Sequence, residues 1–270
     1  MFRPGNLGHI GRLGLVAASR NAFNPLSLFA AGEQGAWYDP SDLSTLFQDY
    51  AGTTPVTAAG QPVGLMLDKS GRGNHATQST YASRPTLQQD VSGLYYLACD
   101  GSNDWMVTSP INFSSTDKIS ISVGLQLNSV TGFQLILETS TQYSANNGAF
   151  DLTINEVSSG AFGIGYKSSS GVKYRLQTAT PVTRSCVLSS TIDAAEPNGI
   201  TLSEFPTDIS TTAVTGTGGN FGSYPLYLFR RGGISLPFSG RCYGLIIVGS
   251  LINSANNTNL RNFMAAKAGV

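Results

Sequence analysis

Cleaving a glycosidic bond takes two carboxyl groups that face each other across it, one donating a proton and the other acting as base or nucleophile. The glutamates of this sequence are Glu33, Glu138, Glu156, Glu196 and Glu204. They stand singly, and no E-x-D-x-x-E strand sets two acids on one face. His9 and His75 are the only histidines. His75 follows the polar stretch 68–74, where a Ser–His–Asp relay through Ser70 can be drawn on paper. Triads are recognised by geometry rather than by adjacency, and there is no G-x-S-x-G elbow. We read His75 as a loop-end imidazole bonded to backbone. Cys99, Cys186 and Cys242 show no C-x-x-C spacing, which leaves neither a zinc set nor a disulfide framework. They read as buried free thiols. No catalytic residue is predicted, and the chain is not expected to be an enzyme.

Rings offer a second kind of chemistry, stacking on sugars. Trp37, Tyr38, Tyr95, Tyr96 and Trp105 are available for it, but core packing accounts for most such residues. Trp37 and Trp105 are expected to be largely buried. Gly216, Gly218, Gly219 and Gly222 lack dinucleotide-binding spacing and read as a loop.

The elements that must position these residues are short strands. Stretches near 95–99, 105–108, 119–127, 134–138, 150–155, 162–166, 173–177, 186–191, 226–229 and 242–248 are β-like, with Gly, Ser and Asn clusters between them. Ile119, Ile121, Val123, Leu125 and Leu127 alternate with Ser120, Ser122, Gly124 and Gln126, the period of a half-buried strand. Many short strands at this spacing predict a sandwich or barrel. The segment 193–205 leaves strand order open. One short helix is predicted over 259–267, where Leu260, Phe263 and Met264 have helical spacing and Gly269 is a stop. Asp39 or Ser41 is placed to cap a turn at 43–47, and Gly71 and Gly73 supply positive φ in the 68–74 loop.

Composition narrows function. The 270 residues carry 16 basic and 16 acidic side chains, only 12% charged in total. Without a basic surface, nucleic-acid binding is not expected. No apolar run approaches the roughly 20 residues of a membrane-spanning helix, and glycines interrupt the first twenty residues too often for a signal peptide. Residues 1–33 differ from the rest. Gly5, Gly8, Gly11 and Gly14 recur every third position, with Leu7, Ile10 and Leu13 each preceding a glycine in that run. Such a period suits an extended arm with an apolar edge. We therefore expect a docking arm over 1–33, contacting a partner through Leu7, Ile10 and Leu13, followed by one β-domain over 34–270.

Three segments carry a resemblance. The first is GAWYDPSDLSTLFQD at 35–49, with DKSGRGNHA at 68–76. The second is CDGSNDWMV at 99–107. The third is FSGRCYGLIIV at 238–248, with the ending AAKAGV. Together they resemble a concanavalin A-like/laminin-G-like family found in bacteriophage and prophage virion proteins. Cys99 stands where that family more often has Phe. The resemblance implies an all-β fold: an antiparallel two-sheet jelly-roll sandwich with an extended N-terminal arm and one short C-terminal helix. It also implies a structural virion protein assembled in the bacterial host cytoplasm, a tail- or neck-attached fibre or adsorption component docked through its arm to other virion proteins. A homo-oligomer follows, by analogy with phage fibres a trimer. Capsid decoration, glycan binding at the host surface and polysaccharide hydrolysis stand as alternatives. Family members hold calcium through loop oxygens, so Asp100, Asn103 and Asp104 are the calcium candidates. The competing reading has them bonding their own turn. No other cofactor is expected.

Overall fold

The computed structural model describes residues 23–155, 161–171, 173–177, 183–196, 198–206, 209–213 and 218–270. In chain order the strands begin with β1 (Gly35–Tyr38), β2 (Leu46–Phe47), β3 (Leu65–Met66), β4 (Ala76–Thr77), β5 (Thr86–Gln89) and β6 (Tyr95–Asp100). They continue with β7 (Met106–Asn112), β8 (Lys118–Leu127), β9 (Gln134–Thr139), β10 (Phe150–Ile154), β11 (Phe162–Lys167) and β12 (Lys173–Gln177). The last are β13 (Ser185–Asp193), β14 (Ile200–Phe205), β15 (Ile209–Ala213), β16 (Ser223–Leu228) and β17 (Ser239–Val248). Helix α1 (Ser254–Ala268) ends the fold.

These strands form two antiparallel sheets packed as a sandwich. One runs β15-β14-β13-β8-β17-β6-β5, with β1 pairing the second half of β17 beyond β6. The other runs β12-β11-β10-β9-β16-β7-β4-β3-β2. The alternation read in β8 is what the sandwich uses: Ile119, Ile121, Val123, Leu125 and Leu127 all enter the core between the sheets. Phe150, Leu152 and Ile154 of β10 and Phe162, Ile164 and Tyr166 of β11 meet them there.

The opposite face of β8 lies under α1. A side chain on Gly124 would stand 3.4 Å from both the Ala268 side chain and the Met264 carbonyl, so glycine lets the helix sit close. Leu260, Met264 and Ala265 pack there with Trp37, Val187, Ile246 and Val248. Strand β17 is buried on both faces, which explains its unbroken apolar run from Leu245 to Val248. Phe23, Leu28 and Phe29, from the segment expected as the arm, join this second cluster. Leu7, Ile10 and Leu13 lie outside the described residues.

Three expectations change. The helix begins at Ser254, five positions before the expected start, because Asn253 caps it by accepting from the Asn256 amide at 2.9 Å. Its polar first turns carry no apolar period. The segment 193–205 contains all of β14, whose inward positions are Ile200, Leu202 and Glu204. A glutamate in an apolar register hid this strand. Trp105, expected to be largely buried, is only partly so.

Candidate functional site

Strand pairing does bring two acids together. Glu138 of β9 is the register partner of Asp151 of β10, and Tyr227 of β16 lies on the other side of Glu138. Directly opposed residues on neighbouring strands are side-chain neighbours. Both carboxylates are fully buried. Arg231 closes over them, its Nε donating to Glu138 at 2.9 and 3.2 Å and a terminal nitrogen donating to Asp151 Oδ2 at 3.3 Å. Glu138 also accepts from the Tyr143 amide at 2.6 Å. Phe133 lies against the guanidinium, 5.3 Å from its carbon to the ring centroid. A general acid and base need a bond between them and water within reach. Here an arginine occupies that space and solvent does not enter.

The Ser70–His75 pairing dissolves in the same way. His75 Nδ1 accepts from the backbone amide of Asp68 at 2.9 Å, the loop-end role read from sequence. Asp68 accepts from the amides of Trp37, Ser70 and Asn74 and from the Ser70 hydroxyl. It is a loop organiser that ties residues 68–74 to β1. Gly71 and Gly73 take φ of 80° and 75°, as the loop requires.

The calcium expectation is not supported. Asp100 Oδ1 accepts from the amides of Ser102 and Asn103, and Asp104 accepts from the amide of Asp100 at 2.9 Å. Asn103 turns its amide nitrogen onto the Ala82 carbonyl. The turn thus bonds to itself, and no group of three or more His, Cys, Asp or Glu able to hold a metal occurs among the described residues. Burial raises the Asp104 carboxyl to about 6, with the Asp100 charge adding to the effect. The thiols of Cys186 and Cys242 are pushed up to about 12, and that of Cys99 also rises, in each case chiefly by burial.

The same turn forms one wall of a cleft of about 350 Å³ at an end of the sandwich. Asp100, Ser129, Thr131, Phe133, Pro237 and Ser239 line it. Gln134 holds its shape, donating to the carbonyls of Ser129 and Thr131 at 3.1 Å and accepting from the Ser239 amide at 2.9 Å. Asn155 adds bonds to the carbonyls of Val130 and Gly132. Asp100 Oδ2 makes no hydrogen bond among the described residues and stands on the exposed side of its turn. The cleft is therefore lined by the Asp100 carboxylate, by Phe133 and by three hydroxyl residues, of which Ser129 and Thr131 bond to each other at 2.7 Å.

Most of the aromatics considered for stacking are structural. Trp37 and Tyr38 are buried. Trp105 stacks on Tyr227 at 6.0 Å, and Gly233 lies so close that a Cβ there would meet the indole at 2.7 Å. Tyr96 packs between Tyr243 and the Arg241 guanidinium. Phe133, which lines the cleft, carries no sequence signal that separates it from a core ring.

These features define an antiparallel β-sandwich with a polar cleft at one end and a buried Glu138–Asp151 pair. No family model and no curated protein matches the chain. Solved structures with this architecture do exist. The binding domain of botulinum neurotoxin serotype G superposes with a TM-score of 0.57 at 9% identity, over 74% of this chain and 49% of that one. A structure of botulinum neurotoxin type C, whose cell entry depends on two ganglioside molecules, gives 0.56 at 11% identity, over 86% and 51%. The receptor-binding domain of botulinum neurotoxin D gives 0.55 at 11% identity, over 75% and 50%. The chain spans about half the length of these structures. Likeness at this identity establishes the fold.

Proposed function

We propose that this chain is a non-catalytic saccharide-binding module and that the cleft beside the 100–104 turn is its binding site. One observation carries the reading: Asp100, whose Oδ2 makes no hydrogen bond among the described residues, lines a single cleft with Ser129, Thr131, Ser239 and Phe133. Hydroxyl-accepting oxygens beside a ring match the two surfaces of a sugar, its O–H edge and its C–H face. The acid pair that strand register brings together does not serve the hydrolytic alternative, because Glu138 and Asp151 are buried and bonded to Arg231. The neurotoxin structures add fold-level analogy, one of them a binding domain and another from a toxin whose cell entry depends on two ganglioside molecules.

A screen against bacterial surface polysaccharides tests the reading. The wild type should bind at least one glycan, and Asp100→Asn, which keeps an acceptor oxygen for the turn, and Phe133→Ala should weaken that binding while remaining folded. Failure to bind any saccharide, or steady release of reducing ends, would overturn it.

The resemblance at 35–49, 68–76, 99–107 and 238–248 supports a further placement, a tail- or neck-attached component of a bacteriophage virion. On this reading residues 1–33 dock the module to other virion proteins through Leu7, Ile10 and Leu13, as a homo-oligomer. Deleting residues 2–22 should leave a folded sandwich that no longer incorporates into particles. Normal incorporation of that deletion would remove the docking role, and labelling on the capsid shell alone would replace the tail position.

A further inference from the structure

We infer that the cleft selects sugar rings that carry no negative charge and turns away sialic acids, uronates and sulfated or phosphorylated sugars. The inference rests on the cleft being a saccharide site and adds the class of saccharide. Its basis is a charge without a counter-charge. Asp100 contributes a carboxylate to the wall, while no Lys, Arg or His lines the cleft among the described residues. The nearby guanidiniums of Arg230 and Arg231 are not among the lining residues. Arg231 bonds Glu138 and Asp151, its guanidinium carbon 5.3 Å from the Phe133 ring centroid. Arg230 donates to the carbonyls of Asn103 and Ile234.

An anionic sugar entering this cleft meets the Asp100 carboxylate with no cation among the described lining residues to pair with it. A neutral ring meets the opposite situation. Its hydroxyls donate to Asp100 Oδ2, and bonds to an ionised acceptor are the stronger kind. The acceptor is also fixed in place. Asp100 Oδ1 is held by two amides of its own turn, and the Asp100 amide is held by Asp104. The opposite wall is held by Gln134 and Asn155. Little ordering remains to be done on binding, which favours a small ligand. A cleft near 350 Å³ sits at the lower end of ligand sites, roughly 300–1,000 Å³, so it suits one ring rather than a long chain.

The test uses the full chain with methyl hexosides, N-acetylhexosaminides, glucuronate and sialyllactose, read by saturation-transfer NMR and calorimetry. At least one neutral glycoside should bind, and glucuronate and sialyllactose should bind at least about tenfold more weakly. Asp100→Asn keeps the turn's acceptor oxygen. It should weaken the neutral glycoside about tenfold and narrow its margin over glucuronate. Thr131→Lys, on the exposed rim, guards against misfolding of the first variant and should bring glucuronate into the site. Sialyllactose or glucuronate binding the wild type as tightly as neutral sugars would overturn the charge rule while leaving the saccharide reading intact. Binding of no saccharide at all would remove the saccharide reading itself.

Discussion

Glu138 and Asp151 face each other across the β9–β10 pair, both fully buried, and Arg231 bonds to each of them. Strand register brings the two acids together, and Arg231 closes them into a structural network. Removing one partner from a buried charge network leaves charge poorly compensated and costs about 3–5 kcal/mol. Arg231→Met should therefore lose about 3 kcal/mol at pH 7 in urea unfolding. Part of the loss should return as pH falls and carboxylates take up protons. The variant should gain no hydrolytic activity, since the acids sit below the surface.

Asp104 sets a pH dependence of its own. Burial raises its carboxyl to about 6 in the folded chain, against about 3.9 for an unperturbed aspartate. The folded state then binds the proton more tightly than the unfolded state, so this group's contribution is fully present below about pH 4 and lost as pH rises through 6. Asp104→Asn keeps an oxygen for the Asp100 amide and never ionises. Above pH 6 it should be more stable than wild type by about 2 kcal/mol, with a flatter stability profile between pH 4 and 7. A less stable variant with an unchanged profile would contradict this.

The two tryptophans should separate. Trp37 is buried against Phe263, with the Lys69 ammonium over its ring, and Trp37→Ala should cost about 3–5 kcal/mol. Trp105 is partly exposed and leans on Tyr227, so its truncation should cost less, about 1–2 kcal/mol. Thermal melts of both variants check the order. Equal losses would show that Trp105 is packed as tightly as Trp37.

How much of this was legible follows from what each residue's pattern records. The β8 alternation names its own inward face, and every one of its five apolar residues enters the core. Gly71 and Gly73 announce the tight loop they form. Strand β14 stayed unread because Glu204 occupies an inward position, where Arg184 pairs with it across β13 and β14. The acid pair stayed unread because register across a hairpin, not spacing along the chain, joins Glu138 to Asp151. The D-G-S-N-D turn was singled out for calcium, and its Asp100 instead presents an oxygen to the cleft. Phe133 could not be chosen in advance, since exposure of one ring is decided by how the 129–134 loop is held.

The most direct test of the account is a two-dimensional amide NMR titration of the full chain with a saccharide that it binds. The account predicts shift changes concentrated at Asp100, Ser129, Thr131, Phe133 and Ser239, lost in Asp100→Ala, with the ligand recovered intact. Changes centred on another face of the sandwich, or a ligand cleaved during the titration, would contradict it.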